Sequence, residues 1–291
     1  MKKECLALAA MDLPLQLHEI YHEVRGPATG PPLVLLHGLG GSSDTFSNIL
    51  PALSQTFRVI AYDHRGHGRS VQRGQDYSLD VMAGDLGSLL DHLGIESAHL
   101  LGTSFGARTG MHFAHLNPGR VRSLLVEDME MVARVVDYEE EYREKARLSE
   151  SLPRYFPSFD AVRRALGAFY NPLEVMDAML SAVQLPDGRV ELLHRPHGMF
   201  LFDLGGNGVD LTVPLRNFRK PLLFVRADPR NSFLFDEGVR HIRRTRPDVP
   251  ILTVPGAEHV VHGSHPDRFL DIAGNFYREA EARFSSTPSA D

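Results

Sequence analysis

Short apolar runs, separated by stretches with a helical repeat, recur along most of the chain. Their apolarity is continuous rather than alternating, which is typical of strands covered on both faces of a parallel sheet. The clearest runs are PLVLLHG (32–38), FRVIAYD (57–63), AHLLG (98–102), VRSLLVED (121–128), PLLFVRAD (221–228) and VPILTVPG (249–256). Between two of them, residues 78–95 place apolar side chains on one helical face, with Ser78 as the N-cap. Alternating strands and helices predict an α/β fold.

Residues 132–215 interrupt this alternation. They begin with a charged helical stretch, YEEEYREKAR, and continue with aromatic and methionine residues among helical signals. An apolar, largely helical insertion between two strands is typical of a lid over a pocket, although such residues also occur in helices that only enlarge a core. We predict a core from residues 1–131 and 216–284, a helical cap at 132–215 and a disordered polar tail at 285–291.

Charge and composition narrow the function classes. The chain has 291 residues and a formal net charge of −6, so it offers no basic field for nucleic acid. Its single cysteine, Cys5, excludes an intramolecular disulfide and a thiolate zinc cluster. Glu4 interrupts the apolar start, which indicates a frayed terminus rather than a signal peptide, and no run reaches the roughly 18 apolar residues of a membrane span. We predict a cytoplasmic protein without a membrane span.

The strongest chemical signal is GTSFG, residues 102–106, which follows an apolar run and precedes a helical stretch. A sharp turn from strand to helix requires small residues on both sides of the nucleophile, and Gly102 and Gly106 meet that requirement. We predict that Ser104 is the nucleophile. The backbone N–H groups of Phe105 and of Leu39, in the glycine-rich HGLGG segment (37–41), are the candidate oxyanion donors. An ordinary glycine-rich turn or a phosphate loop is the alternative for that segment.

Histidines late in the chain are candidates for the general base. GAEHVVH (256–262) follows an apolar run, and His259 is the first histidine after it. Because His259, His262 and His265 are three residues apart, a metal-binding face is an alternative, but no carboxylate cluster accompanies them and we predict no metal. HEIYH (18–22) matches a zinc signature that requires a helix, whereas its apolar pattern alternates as in a strand, so we interpret the match as accidental.

Four motifs in this order, HGLGG (37–41), YDHRGHGRS (62–70), GTSFG (102–106) and GAEHVVH (256–262), resemble the α/β hydrolase superfamily. The resemblance spans residues 15–280 apart from the insertion. It implies a mostly parallel eight-stranded sheet with helices on both faces and a variable cap after the sixth strand. In the second motif it implies that Asp63 and Arg65 shape a turn rather than take part in catalysis.

The resemblance leaves two candidates for the acid that orients the histidine. Most members carry it after the seventh strand in a pattern like GxxD, but here Ala227 replaces the glycine and Arg230 the aspartate, with Asp228 two residues early. A subset, including small bacterial acyl esterases, carries the acid at the end of the sixth strand, just before the cap, together with a serine after the seventh strand. RADPRNS (226–232) is similar to that serine motif, and Asp128 lies 24 residues after Ser104.

We therefore favour Asp128 over Asp228, and strand alternation places Glu127 on the opposite side in a structural role. The alternative is that the pair Glu127 and Asp128 merely ends a strand or caps a helix.

The predicted activity is that of a carboxylesterase-like serine hydrolase acting on a small-molecule acyl substrate without a cofactor. Carbon–carbon bond hydrolysis, lactonase, acyltransferase and perhydrolase chemistry would use the same three residues, and a non-catalytic binding protein on this scaffold is a further alternative. The sequence does not decide between a monomer and a homodimer. Candidates for lining an apolar acyl pocket under the cap are Phe156, Phe169, Met176, Met199 and Phe200.

Overall fold

The computed structural model describes residues 19–70, 76–132, 139–149, 152–168, 175, 182–192, 201, 204–206 and 208–286. Within these ranges seven strands form one sheet, against the eight that the resemblance implies. These strands are β1 (His22–Arg25), β2 (Pro32–Leu36), β3 (Arg58–Tyr62), β4 (Ala98–Thr103), β5 (Val121–Glu127), β9 (Leu222–Arg226) and β10 (Ile251–Thr253). Their spatial order is β1-β3-β2-β4-β5-β9-β10, and every neighbouring pair is parallel except β1 with β3.

The central strands are buried on both faces, as their continuous apolarity predicts. Leu33 and Leu35 of β2 pack in the apolar cluster on one face of the sheet, and Val34 and Leu36 pack in the cluster on the other. Each of the six apolar runs coincides with one of the observed strands, and β4 extends one residue beyond its run. The α/β fold predicted from the alternation of strands and helices is confirmed.

Helices cover both faces of the sheet. They are α1 (Leu50–Leu53), α2 (Leu79–His92), α3 (Phe105–Leu116), α4 (Glu139–Ser149), α5 (Phe159–Leu166), α6 (Thr212–Asn217), α7 (Asp236–Thr245), α8 (Val261–Ser264) and α9 (Pro266–Ser286). The predicted N-cap of α2 is confirmed, because the Ser78 side chain accepts a hydrogen bond from the N–H of Val81. Among the helices within the described ranges, none combines the length and apolarity needed to cross a bilayer.

The insertion contains more strand than its sequence predicts. Besides α4 and α5, its described residues form three short strands, β6 (Tyr155–Phe156), β7 (Ala182–Gln184) and β8 (Val190–Leu192). They pair as an antiparallel sheet in the order β6-β8-β7. The expectation of a largely helical segment missed this sheet because strands of two or three residues are too short to produce a detectable alternation.

The pocket-lining candidates divide into one described residue and four others. Phe156 lies in β6 and is buried in the large apolar cluster, with 5% of its surface exposed. Phe169, Met176, Met199 and Phe200 lie outside the described residues. The acyl pocket under the cap therefore stays a prediction, with Phe156 as its described candidate.

Candidate active site

Ser104 occupies a sharp turn between β4 and α3. Its backbone has φ 52° and ψ −124°, a left-handed conformation that is uncommon for residues with a side chain. Its N–H donates to the carbonyl of Glu127 on the neighbouring strand at 2.8 Å. The strand, turn and helix predicted around GTSFG are confirmed, and Ser104 lies at the carboxyl edge of the sheet.

The glycines on either side of this turn are required by close backbone contacts. A Cβ added to Gly106 would lie 2.1 Å from the carbonyl oxygen of Leu36, and one added to Gly102 would lie 2.4 Å from the Cα of Ala107. Both distances are far below van der Waals contact. Small residues at these positions therefore let the start of α3 pack directly against β2 and β4.

The glycine-rich segment after β2 lies beside Ser104. A Cβ added to Gly38 would be 3.0 Å from the Cβ of Ser104. The Gly38 carbonyl accepts from His37 Nδ1 at 2.8 Å and from the N–H of Gly41 at 3.1 Å. This carbonyl and the N–H of Leu39 belong to one planar trans peptide, so the two hydrogen bonds fix the orientation of that N–H as well.

Three buried histidine rings support this segment. The His37 ring lies 4.5 Å from that of His64 and 5.3 Å from that of His67. The N–H of His64 donates to His37 Nε2 at 3.0 Å, so Nδ1 carries the proton that bonds Gly38. Burial lowers the pKa of His67 to about 3. Burial likewise holds the pKa of His64 well below its ordinary value, so both rings are neutral near pH 7.

His259 and Asp128 form a hydrogen-bonded pair at the same edge. His259 Nδ1 lies 2.7 Å from Asp128 Oδ2, and the ring of Phe233 lies 4.4 Å from the His259 ring. The His259 side chain is 24% exposed, whereas the Asp128 side chain is fully buried. The structure thus brings together the histidine and the carboxylate favoured from sequence, with the ring of His259 left open to the solvent side.

The Asp128 carboxylate is surrounded by donors. Besides His259, it accepts from the N–H of Ala227 at 2.9 Å, the hydroxyl of Ser232 at 2.5 Å and the N–H of Phe233 at 2.9 Å. Burial raises the pKa of Asp128, but these hydrogen bonds outweigh it and hold the pKa below its ordinary value. Asp128 is therefore an ionised acceptor, and the serine of RADPRNS bonds it directly.

The alternative acid, Asp228, has different partners. It accepts from Arg230 Nε at 2.8 Å and from the N–H of Gly256 at 2.9 Å. The hydrogen bonds from Arg230, followed by that from Gly256, hold the pKa of Asp228 well below its ordinary value. Asp228 thus ties two loops together, and the described bond to His259 comes from Asp128 instead.

The late histidines do not converge on a common point. His259 bonds Asp128, His262 bonds Glu127 at 2.8 Å, and His265 Nδ1 lies 3.1 Å from the hydroxyl of Ser264. Within the described ranges, no group of three or more His, Cys, Asp or Glu side chains is placed to hold a metal ion. In the HEIYH segment, the second histidine, His22, begins strand β1, so the segment lacks the helix that the zinc signature requires there.

The loop after β3 is a hydrogen-bonded turn. Asp63 accepts from the N–H groups of Ser43 at 2.6 Å and Arg69 at 2.7 Å. Arg65 makes two hydrogen bonds of 2.7 Å with the carboxylate of Asp85 on α2. Both side chains are buried in these contacts, which agrees with the structural role expected for Asp63 and Arg65.

Comparisons with known proteins agree with this architecture. A family model described as the alpha/beta hydrolase fold matches residues 31–162. A 2-(acetamidomethylene)succinate hydrolase of Mesorhizobium japonicum is 30% identical over 257 residues, which cover 87% of this chain and 90% of the relative. This chain belongs to the α/β hydrolase superfamily.

Further relatives are also hydrolases. An sn-1-specific diacylglycerol lipase of Mus musculus is 29% identical over 265 residues, covering 88% of this chain and 84% of the relative. The solved structure of a marine microorganism esterase superimposes with a TM-score of 0.69 at 26% identity, covering 89% of this chain and 99% of that one. The chain is thus a hydrolase of this fold.

Sequence reasoning missed one residue that organises this α/β hydrolase. Arg108 on α3 is buried, and its guanidinium donates to the carbonyls of Glu130 at 2.8 Å and Val132 at 3.1 Å, where the insertion begins. It also donates to the carbonyl of Gly206 at 3.0 Å and to that of Val209, near the end of the insertion. The available signal was an arginine in the first turn of the helix that follows Ser104.

Proposed function

We propose that this α/β hydrolase is a serine hydrolase that cleaves a carboxylic ester or a related acyl substrate through an acyl-enzyme on Ser104. One observation carries the proposal. A buried, ionised Asp128 holds His259 Nδ1 at 2.7 Å, at the same edge of the sheet where the turn after β4 presents Ser104. A serine at the edge of the sheet where an acid fixes a histidine is the set of groups that can activate a hydroxyl nucleophile.

The proposed reaction begins with attack of Ser104 Oγ on the substrate carbonyl carbon. His259 Nε2 takes the hydroxyl proton as the Oγ–C bond forms, and Asp128 stabilises the resulting imidazolium. The N–H groups of Leu39 and Phe105 are the proposed donors to the oxyanion. Collapse of the tetrahedral intermediate breaks the bond to the leaving alcohol, which receives the proton from His259. Water, deprotonated by the same histidine, then releases the acid and restores Ser104.

The names of two relatives support ester chemistry in particular. One is a diacylglycerol lipase and the other an esterase, and both align over more than four fifths of this chain. Lactones and other activated acyl groups would be attacked by the same residues, so the choice among them depends on the pocket beneath the insertion. For that reason the test includes a panel of substrates.

A fluorophosphonate probe tests the nucleophile. We expect the probe to label the wild-type protein, and labelling should disappear in Ser104→Ala. Ser47, an exposed serine in the segment after the glycine-rich loop, provides a matched control, and Ser47→Ala should label as the wild type does. Labelling that survives in Ser104→Ala would refute the assignment, and a folded wild type that does not label would favour a binding protein. Hydrolysis of p-nitrophenyl esters of increasing acyl length then defines the substrate class.

A further inference from the structure

A second acid and histidine pair lies next to the first in the sequence. It consists of Glu127, one residue before Asp128, and His262, three residues after His259. We infer that Glu127 and His262 are positioning residues. They hold three segments in fixed relative positions: the turn at Ser104, the loop that carries His259, and the glycine-rich segment 37–41. This inference rests on the proposed serine hydrolase function.

The pair is buried and closely bonded. His262 Nδ1 lies 2.8 Å from Glu127 Oε2, and the backbone N–H of His262 donates to Glu127 Oε1 at 2.8 Å. Both side chains are fully buried. His262 Nε2 lies 3.1 Å from the carbonyl of Thr45, and since a carbonyl only accepts, this nitrogen carries a proton. Both ring nitrogens therefore have fixed partners, and the ring cannot turn without losing one of them.

Glu127 holds the nucleophile turn through two bonds. The hydroxyl of Thr103 donates to its Oε2 at 2.5 Å, and the N–H of Ser104 donates to its carbonyl oxygen at 2.8 Å. Thr103 and Glu127 are also register partners on the adjacent strands β4 and β5. Side chain and main chain of Glu127 therefore hold the two residues that determine where the Ser104 hydroxyl points.

His262 connects this turn with two other loops. It belongs to α8, which begins two residues after His259, so its position determines where the proposed base can lie. Its carbonyl accepts from Asn48 Nδ2 at 2.6 Å, and its Nε2 bonds Thr45. Thr45 lies in the short helical turn that follows the glycine-rich segment, and its hydroxyl accepts from the N–H of Ser42. The His262 ring thus links the loop that carries His259 to the glycine-rich segment 37–41.

Two aromatic rings pack against His262. The ring of Phe46 is stacked at 5.0 Å and that of Phe269 lies edge-on at 5.6 Å. Burial raises the pKa of Glu127, but the charge of His262 and the hydrogen bonds to the carboxylate hold it below the ordinary value. Because both side chains are fully buried, bulk solvent does not compete for the hydrogen bonds between them. The pair is therefore a buried ion pair that fixes the relative positions of the segments it connects, unlike an ion pair on the surface.

Glu127→Gln tests the positioning role, because glutamine preserves the shape of the Glu127 side chain and removes its charge. A displacement of about 1 Å at reacting groups costs on the order of 10²-fold in rate. We expect kcat, normalised to active sites titrated with fluorophosphonate, to fall about 10- to 100-fold while KM changes less than about threefold. A purely structural role would lower the folded fraction and leave the rate of each titrated site unchanged.

Glu281→Gln is the matched control. Glu281 Oε2 pairs with His99 Nε2 at 2.7 Å near the beginning of β4, at the opposite end of the strand from Ser104. It is likewise a carboxylate and histidine pair that joins the sheet to a helix. We expect Glu281→Gln to lower the melting temperature and to leave the normalised kcat within about twofold. An equal loss of kcat in both variants would overturn the positioning role.

Thr103→Val keeps the inference testable if Glu127→Gln does not fold. It removes only the hydroxyl that bonds Glu127 and retains a branched side chain of the same size. We expect a smaller loss of normalised kcat, about 3- to 10-fold, at an unchanged KM. Normal turnover per site in folded Thr103→Val and Glu127→Gln, with Ser104→Ala inactive, would overturn this inference alone. Full activity of Ser104→Ala would overturn the proposed function itself.

Discussion

Asp128→Asn is the most direct test of the proposed acid, because every lone-pair direction of the carboxylate is used. Oδ1 accepts from the N–H of Ala227 and the hydroxyl of Ser232, and Oδ2 accepts from the N–H of Phe233 and from His259 Nδ1. Asparagine offers one oxygen and one NH2 group. Whichever way the amide is turned, its NH2 group faces a backbone N–H.

The size of the effect follows from this geometry. If the amide oxygen stays with Ala227 and Ser232, the NH2 group faces His259 and favours the ring tautomer that carries its proton on Nε2. That nitrogen then cannot accept the proton of Ser104. In serine, histidine and aspartate sites this change of tautomer lowers kcat by about 10⁴-fold, which corresponds to about 5 kcal/mol of transition-state stabilisation.

The assay is steady-state hydrolysis of a short p-nitrophenyl ester by wild type, Asp128→Asn and Asp228→Asn, with folding checked by circular dichroism. Asp228 bonds Arg230 and Gly256, so its variant should lose stability and keep kcat within about threefold. If folded Asp128→Asn retained a tenth or more of the wild-type kcat, the assignment of the acid would be wrong. A larger loss in Asp228→Asn would transfer the role to that residue.

Three other predictions concern stability. Arg108→Met removes the guanidinium that donates to four backbone carbonyls at the two ends of the insertion, so the free energy of unfolding in urea should fall by about 3–5 kcal/mol, and a loss below about 1 kcal/mol would contradict the anchoring role. Gly206→Ala would place a Cβ 1.9 Å from the ring of Phe105, so we expect a loss of about 1–3 kcal/mol in the same assay, and an unchanged midpoint would argue against this packing.

The third prediction concerns the pH dependence of stability. The pKa of Glu127 is lowered in the folded protein, so its charge stabilises the fold above the ordinary pKa of 4.5, and this contribution is lost as the pH falls through the folded pKa. The pKa of His262 is raised, so its charge stabilises the fold below the ordinary pKa of 6.5, and this contribution is lost as the pH rises through the folded pKa. The stability gap between wild type and Glu127→Gln should therefore be widest near about pH 5.5, and a gap independent of pH would refute the ion pair.

The sheet could be predicted from sequence because its central strands are long and enclosed. Five to seven consecutive residues buried on both faces leave a continuous apolar run, as in β4 and β5. The sheet within the insertion has no such signal. Phe156 is buried while its neighbour Tyr155 is exposed, and a single alternation is common by chance. The seven-stranded order of the main sheet also had to come from the structure, since pairing joins segments far apart in sequence.

The candidate site was only partly predictable for a related reason. Ser104 and His259 lie in motifs whose local turn chemistry can be seen in a few residues. The structure gives Glu127 and Asp128 different partners, but the sequence did not give the partner of Glu127, which lies 135 residues later. Arg108 illustrates the same limit, because its acceptors are backbone carbonyls that carry no identity in the sequence.

The two acids at the end of β5, Glu127 and Asp128, have different roles at two neighbouring turns. Within the described residues, Ser104 and Asp128 are the two non-glycine residues with positive φ, at 52° and 50°. Each follows directly after one of two adjacent parallel strands, whose last residues, Thr103 and Glu127, are register partners. Such conformations cost about 1–3 kcal/mol each and persist only where surrounding bonds determine them. The Thr103 to Glu127 bond supplies those constraints for the turn at Ser104, and the four donors to Asp128 supply them for the second turn. Glu127 therefore stabilises the strained geometry, which leaves Asp128 free to orient His259.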